Sequence, residues 1–404
     1  MATSTATYAE AAATEAARGR GEPDWLVNAR AEAARAFAAT SMPAPSLRPW
    51  KYTDVTALDI EAFAPDAAFA PRVTGTAPAG GFAGSRAAGL ASYGEVVRAH
   101  LGSVVQGTEG KFTAANAAQW REGVLVYAPR GQAFAAPVTV TVEGHEGAIF
   151  PRILIVAEPA SQVSIILRTS SAAAALLVAG VIEVVAQADS RVRLLIDTRW
   201  GAGTQEFTTL RAKIGRGADV QVGAIVLGGH IVKQTVEALM EGEGSHSSIR
   251  GVAVGDTEQH FDFVTLQELI GAKSSSEVEI KTALAGASRS VYYGLTRVEP
   301  TAIGASASQE NRNLLLSSRA KADADPVLEI LTNEVIRCGH GATVGPVDRD
   351  ALFYLQSRGL DMRQSLVLLV TGFFQSVISG LDAPGLVEEL ESALREKLAT
   401  AELE

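Results

Sequence analysis

The chain has 404 residues, more than one compact domain usually holds, and a single cysteine, Cys338. Its net charge of −10 and pI of about 5.3 argue against nucleic-acid binding, which needs clustered Lys and Arg. One cysteine excludes an intrachain disulfide and makes a cytoplasmic location the expectation.

The first 120 residues are predicted to form a helical region. Met1–Arg20 lacks the basic start and apolar core of a secretory signal, so we expect a floppy or weakly helical tail. Apolar residues recur at helical spacing over Trp25–Phe37, and prolines follow at 43, 45 and 49. Arg48–Asp54 is then an extended aromatic linker whose rings are expected to pack. Residues 61–120, which are included in this region, are rich in Ala and Gly and give mixed signals.

Residues 121–346 are predicted to be strands throughout. Period-2 alternation and β-branched residues mark them, for example at Val138–Val142, Arg152–Val156, Val163–Leu167 and Val192–Ile196. No helical pattern separates them, which argues against a βαβ sheet. The longest uncharged apolar stretch, Ala172–Ile182, is much shorter than the ~20 residues that span a bilayer.

A unit of a small polar turn and a strand recurs in this region. Its strands begin at Val163, Val192, Val220, Ile249 and Val278, at spacings of 29, 28, 29 and 29 residues. A steady period of this size is typical of stacked supersecondary units. Units made only of strands and turns stack as a parallel β-helix, with an evenly spaced β-sandwich as the alternative.

Residues 347–404 are predicted to be a C-terminal helical domain. One helix covers Ser365–Ile378, and Gly380 is placed as its C-cap. A second helix is predicted from Pro384 to Leu398, with leucines at every fourth position and an acidic opposite face.

Sequence motifs for common enzyme chemistry are absent. The chain has no phosphate-binding Gly-x-x-x-x-Gly-Lys-Ser/Thr, no dinucleotide-binding glycine motif and no Gly-x-Ser-x-Gly elbow. Its six histidines do not form the His-Glu-x-x-His pattern of zinc proteases.

One segment, Arg337–Gly345, places a thiol and an imidazole two residues apart. On an extended strand Cys338 and His340 would point to the same side, where both could reach one metal ion. A free cysteine is also commonly a small buried hydrophobe, and a lone histidine is more often structural than a ligand. At this point a metal site and a structural pair both stay open.

Several segments resemble the SufB/SufD family of iron–sulfur cluster assembly proteins. In order along the chain they are Glu22–Leu26, Trp50–Asp54, Gln309–Ser317, Pro326–Ile330, Cys338–Gly345 and Ala351–Gly359. Leu315 stands where SufB chains carry a cysteine, and Gly339 and Gly341 stand where SufB has glutamates around its histidine. The resemblance is therefore to the SufD branch.

The resemblance implies a right-handed parallel β-helix flanked by N-terminal and C-terminal helical regions. It implies a non-catalytic scaffold subunit of a cytoplasmic SufBCD complex, paired with SufB through the β-helix and docked to the ATPase SufC through residues 347–404. SufC would hydrolyse the ATP. A homodimer of the isolated chain is a further expectation, whereas nucleic acid and membranes are not expected as partners.

The resemblance also makes Cys338 and His340 candidate ligands of iron or a nascent iron–sulfur cluster at the SufB interface. His340 is the better candidate, because a neutral imidazole binds iron without first losing a proton. Since a cluster usually takes four protein ligands, we expect none to be held stably by this chain alone.

Two other functions compete with this hypothesis. Parallel β-helices also serve as polysaccharide-cleaving enzymes, which need paired carboxylates, or basic residues with Ca²⁺, along one face. The Asp and Glu residues here are scattered without a repeated pair. The other alternative is a SufB-like homo-oligomer that works without a separate SufB.

Overall fold

The computed structural model describes residues 7–381 and 387–402. The helices are α1 (Glu10–Gly19), α2 (Asp24–Ala39), α3 (Arg86–His100), α4 (Lys111–Gln119), α5 (Arg349–Ser357), α6 (Met362–Ser379) and α7 (Val387–Thr400). The predicted helices over Trp25–Phe37 and Ser365–Ile378 are confirmed as α2 and α6. The predicted start of the last helix, Pro384, lies outside the described residues.

Most of the chain between the two helical regions is strand. The strands are β1 (Arg72–Thr74), β2 (Phe82–Ser85), β3 (Val124–Ala128), β4 (Val138–Gly144), β5 (Gly147–Ile149), β6 (Arg152–Ala157), β7 (Gln162–Ser171), β8 (Leu176–Ala186), β9 (Arg191–Arg199), β10 (Thr204–Ile214), β11 (Asp219–Val226), β12 (Ile231–Met240), β13 (His246–Gly255), β14 (His260–Leu269), β15 (Ser275–Leu284), β16 (Arg289–Val298), β17 (Ala305–Leu315), β18 (Lys321–Ile330) and β19 (Val335–Pro346).

These strands form a β-solenoid, which confirms the predicted parallel β-helix. The strands form two sheets. The nine-stranded sheet has the order β1-β4-β7-β9-β11-β13-β15-β17-β19, and the ten-stranded sheet has the order β18-β16-β14-β12-β10-β8-β6-β3-β2, with β5 also paired to β8. From β6 onward successive strands alternate between the two sheets. From β3 and β4 onward neighbouring strands within each sheet are parallel. Each coil therefore adds one strand to each sheet, an arrangement that the β-sandwich alternative does not have.

The core lies between the two sheets and is built from columns of stacked side chains. One column runs in register through Val138, Ile165, Leu194, Val222, Ile249 and Val278, all buried. Burying an aliphatic side chain of this size contributes roughly 1.5–3 kcal/mol, so each coil stabilises its neighbours.

The predicted period of the repeat is confirmed, but one predicted strand start does not stack on the one before it. Val163, Val192 and Val220 do stack on one another, but Ile249 lies above Val222 rather than Val220. A shift of two residues leaves a side chain on the same face of a strand, so alternation alone could not reveal it.

The first edge of each sheet is closed by a short antiparallel strand that the sequence did not predict. β1 pairs with β4, with Arg72 opposite Thr141, and β2 pairs with β3, with Phe82 opposite Tyr127. Phe69, just before β1, is buried in the solenoid core. Strands of three and four residues are too short to show a periodic pattern.

The N-terminal tail, predicted to be floppy or weakly helical, is helical and packed against α2 in the residues that the structure describes. Residues 10–19 form α1, and Tyr8 is buried with its ring stacked on Phe37 at 5.3 Å. The Tyr8 hydroxyl donates a hydrogen bond to the Phe63 carbonyl at 2.9 Å. Small alanines on α1 and α2, such as Ala13 and Ala33, let the two helices pack closely.

A buried ion pair joins this helical region to the solenoid. Glu183 on β8 is fully buried and accepts a 2.5 Å hydrogen bond from the Arg152 guanidinium. Its carboxylate also accepts from the backbone N–H groups of Gly102, Val104 and Val105 at 3.0–3.2 Å. The loop after α3 is therefore held by one side chain of β8.

The aromatic linker crosses the outer face of the ten-stranded sheet as a strap, defined here as residues 48–54. Trp50 stacks on Phe112 of α4 at 5.5 Å, as the expected packing role requires. Lys233, nearly fully buried, donates to the Pro49 carbonyl and to the Asp262 carboxylate, both at 2.5 Å. Desolvation by burial lowers the pKa of Lys233.

The C-terminal helices pack on the outer face of the nine-stranded sheet. Lys281 of β15 donates to the Phe373 carbonyl at 2.9 Å and to the Ser376 hydroxyl at 2.6 Å, which fixes α6. Gly380 is the C-cap of α6, but with an ordinary helical backbone; a side chain there would collide with the Arg250 guanidinium. Among the described residues, no helix has the length and apolar character needed to cross a membrane.

Candidate functional site

The C-terminal end of the solenoid has two free edges. β18 and β19 are the last strands of their sheets, and no described strand pairs with their outer edges. β18 has 10 residues and β19 has 12, and both are mostly exposed or half-buried. Their free edges therefore offer long rows of unpaired backbone N–H and C=O groups.

Cys338 and His340 both lie on β19. In the ladder with β17, Cys338 is the partner of Ala307 and His340 is the partner of Gln309. Because Ala307 and Gln309 are buried, both candidate residues occupy positions that face the solenoid interior. Cys338 is half-buried against the core, and His340 is exposed because no further coil covers it.

Partial burial raises the pKa of the Cys338 thiol. The thiol is therefore protonated at neutral pH, whereas the thiolate is the form that binds metal. A metal ion or a nearby cation would have to favour loss of this proton before Cys338 could act as a ligand.

The outer side of the same strand is bare backbone at Gly339 and Gly341. A side chain added at Gly339 or Gly341 would meet nothing within 4 Å. These glycines border a trough of about 450 Å³ on the outer face of the nine-stranded sheet, which Ser308, Glu310 and Arg337 also line. Another chain can therefore approach the strand closely at this point.

The site is incomplete as a metal centre. Within residues 7–381 and 387–402, no group of three or more His, Cys, Asp or Glu residues is arranged to hold a metal ion. Cys338 and His340 supply at most two ligands, so a cluster held here would need further ligands from another molecule.

A layer of three buried amides beneath β19 was not singled out as functional from the sequence. Gln309, Asn311 and Asn313 alternate along β17, and all three face the interior. The alternation of amides with charged residues in Gln-Glu-Asn-Arg-Asn was the available signal. It was used only as part of the family resemblance.

Exposed apolar side chains surround the open end and the adjacent helices. Ile336 of β19 is 78% exposed and Phe353 of α5 is 72% exposed. Tyr354 and Leu368 of the same helical region are also exposed, and α5 has no buried residue. Apolar surface of this kind is typical of a docking surface for another protein.

These features define a class of protein: a β-solenoid that is closed at one end and open at the other, with apolar surface around the opening. The family model described as "SUF system FeS cluster assembly, SufBD core domain" matches residues 140–373. The matched range covers more than half of the chain and includes α5 and the site on β19.

Curated relatives agree with this match. A SufBD family protein of iron–sulfur cluster assembly from Mycobacterium leprae is 31% identical over 228 residues, which are 55% of this chain and 58% of that protein. One from Mycobacterium tuberculosis is 28% identical over 292 residues, 70% of this chain and 73% of the relative. The iron–sulfur cluster assembly protein SufD of Bacillus subtilis is 29% identical over 297 residues, 72% and 67% of the two chains.

The chain therefore belongs to the SufB/SufD family of the SUF system for iron–sulfur cluster assembly.

Proposed function

We propose that this chain is a non-catalytic scaffold subunit of a cytoplasmic SufBCD complex. In this role it pairs with SufB, docks the ATPase SufC and supports iron acquisition and cluster assembly. The observation that carries the proposal is the open end of the solenoid, where two long free edge strands lie beside a thiol and an imidazole.

Pairing with SufB would use the free edges of β18 and β19. A second β-solenoid whose last strands are also free could continue both sheets and satisfy the unpaired backbone groups. The bare outer side at Gly339 and Gly341 would allow the close approach that such a joint needs. The interior-facing Cys338 and His340 would then lie at the junction.

Docking of SufC would use the apolar surface of α5 and the start of α6. Phe353 and Tyr354 of α5 and Leu368 of α6 are large and exposed, and aromatic side chains often anchor protein interfaces. In this proposal SufC supplies ATP hydrolysis, and no catalytic residue is assigned to this chain.

At the junction with SufB, His340 and Cys338 would bind iron or a nascent cluster together with ligands from SufB. His340 is exposed and can offer a ring nitrogen directly. Cys338 is half-buried and its raised thiol pKa makes it the weaker first ligand. The cluster is cargo in this proposal, so the isolated chain is not required to retain it.

The test is co-purification of this chain with SufB and SufC, followed by anaerobic reconstitution and cluster absorbance. His340→Ala is compared with wild type and with His145→Ala, an exposed histidine in the turn after β4. We expect all three complexes to assemble and only His340→Ala to lose cluster formation.

Other results would contradict parts of the proposal. Failure of the wild-type chain to co-purify with SufB would contradict the proposed pairing with SufB. Normal cluster formation by His340→Ala would mean that the chain is a scaffold only and that Cys338 and His340 have a structural role. Native mass of the chain alone and with SufC tests the homo-oligomer alternative, and turnover of polysaccharide by the chain alone would contradict a scaffold role.

A further inference from the structure

The column of side chains that ends at His340 changes character one coil below it. From Val138 to Val278 the column is aliphatic; the next residue is Gln309, and His340 follows in register. Gln309 is only 2% exposed. An amide at a position that is aliphatic in every earlier coil of this column costs free energy unless it is fully bonded.

The amide of Gln309 is held from the opposite side of the solenoid. The Tyr292 hydroxyl of β16 donates to Gln309 Oε1 at 2.9 Å, and Gln309 Nε2 donates to the Val327 carbonyl of β18 at 3.0 Å. Tyr292 is itself fixed by a 3.0 Å hydrogen bond with Thr265. The amide is therefore anchored to strands β16 and β18, which belong to the opposite sheet.

A glycine makes room for this arrangement. A Cβ atom at Gly294 would collide with both the Tyr292 hydroxyl and Gln309 Oε1. Gly294 lies between Thr265 and Pro326 in the ladder of the ten-stranded sheet, at a position that faces the interior. The space that a side chain would fill is occupied by the two polar groups.

Half of the hydrogen-bonding capacity of this amide is unused within the solenoid. A primary amide has two N–H donors and two acceptor lone pairs, and these two contacts use one of each. The residue directly above it is His340, on a strand about 4.8 Å away. No hydrogen bond joins the two side chains in this structure, but a neutral imidazole has one N–H and one free nitrogen, either of which matches a free position of the amide.

We propose that Gln309 is the positioning residue of His340: its anchored amide hydrogen-bonds one ring nitrogen and thereby turns the other toward the open end to bind iron or a cluster. The histidine ligands of metals usually have such a partner on their second nitrogen, which sets the tautomer and ring orientation. This inference rests on the proposed function, because it assigns His340 a ligand role. Gln309 itself does not touch the iron.

The experiment uses the complex with SufB and SufC and measures the Fe(II) concentration that gives half-maximal cluster absorbance. Gln309→Met keeps the length of the side chain and removes both amide contacts. Gln267→Met is the matched control: Gln267 is equally buried and is bonded to Ser276, Thr296 and the Ser308 carbonyl of β17, but it belongs to another column and does not lie beneath His340. Unfolding of each isolated chain in urea is measured in parallel.

We expect Gln309→Met to raise the Fe(II) requirement about 10-fold or more, the usual effect of removing such a partner. Gln267→Met is expected to lower the free energy of unfolding about as much as Gln309→Met does, without changing the Fe(II) requirement. Tyr292→Phe, which removes one of the two hydrogen bonds that anchor the amide and keeps the bond to the Val327 carbonyl, should raise the requirement less. If the Gln309→Met complex does not assemble, Tyr292→Phe still tests whether Gln309 positions His340.

Three results would overturn the inference in different ways. If His340→Ala loses clusters while Gln309→Met and Tyr292→Phe behave like wild type, positioning by Gln309 is wrong and the proposed function stands. If none of these three variants changes the Fe(II) requirement, the ligand role of His340 is wrong as well. An equal rise in Gln267→Met would mean that the effect is a general loss of stability and would also overturn it.

Discussion

At its N-terminal end the solenoid is closed by the antiparallel strands β1 and β2 and by packed helices, whereas at its C-terminal end β18 and β19 have free edges. The closed end contains the buried Arg152–Glu183 ion pair, in which both carboxylate oxygens accept hydrogen bonds. The open end has interior-facing residues that stay half-buried or exposed. The two ends therefore differ in how completely their strand edges and interior-facing side chains are covered.

The largest expected effect on stability comes from a substitution that disrupts the closed end. Glu183→Ala would leave the buried Arg152 without its carboxylate and three backbone N–H groups without an acceptor. We expect a loss of about 3–5 kcal/mol in the free energy of unfolding, measured by urea denaturation.

Glu143→Ala is the control for this loss, because Glu143 pairs with Arg72 at the same end but both side chains are exposed. Its expected effect is within about 1 kcal/mol. Equal losses in the two variants would show that burial of the Glu183 pair is not what closes this end.

The second effect concerns the strap, which links the helical region near the closed end to β14 and β16. His260 of β14 bonds to Thr53 of the strap at 2.9 Å, and burial lowers the pKa of His260 to about 4. An unfolded histidine titrates near 6.5, so the unfolded chain takes up a proton that the folded chain rejects. We therefore expect the contribution of His260 to the free energy of unfolding to be fully present above pH 6.5. That contribution should fall by about 3 kcal/mol as the pH drops to 4.

This pH dependence is measured as urea unfolding of wild type and His260→Asn between pH 7 and pH 4. We expect the variant to lose less stability over this range by about the same 3 kcal/mol. An unchanged slope in His260→Asn would assign the acid sensitivity to other groups.

A third, smaller effect lies just below the open end. Gly294→Ala would push Tyr292 and Gln309 apart, and overpacking of this kind costs about 1–3 kcal/mol. Gly339→Ala on the bare outer side of β19 is the control, since its side chain would enter open space. Thermal unfolding of the two variants should separate them, and similar midpoints would argue against a tightly packed layer beneath β19.

The smallest expected effect on folding comes from the free edge itself. Ile336 on β19 is largely exposed, so Ile336→Lys should change the free energy of unfolding by no more than about 0.5 kcal/mol. The same change should weaken association with SufB, measured by native mass at matched concentrations. Loss of stability without loss of association would mean that this edge is a structural surface.

The solenoid was predictable because its signal is local and repeated. The strands at Val163, Val192 and Val220 show both the alternation and the coil length, and they do stack. The two-residue offset at Ile249 was not predictable, because it leaves the inward face unchanged.

Long-range contacts account for what the sequence did not reveal. The Lys233 bond to the Pro49 carbonyl joins residues 184 positions apart, and the Thr53–His260 bond spans 207. Short strands such as β1 are fixed by their partner strand rather than by their own pattern. For the candidate site, the pairing of Cys338 with His340 on one face followed from their spacing, whereas the anchoring of Gln309 by Tyr292 required the fold.

Closure at one end alone also limits how such molecules can be joined. A rod with two free ends could add copies at both and grow into a filament, as head-to-tail contacts do when their symmetry does not close. Here β1 and β2 run antiparallel to the strands they cover and end the sheets. In the proposed joint with SufB, end-to-end joining would therefore stop at two rods, and the cap at residues 72–85 would limit the stoichiometry of that joint from the far side of the molecule.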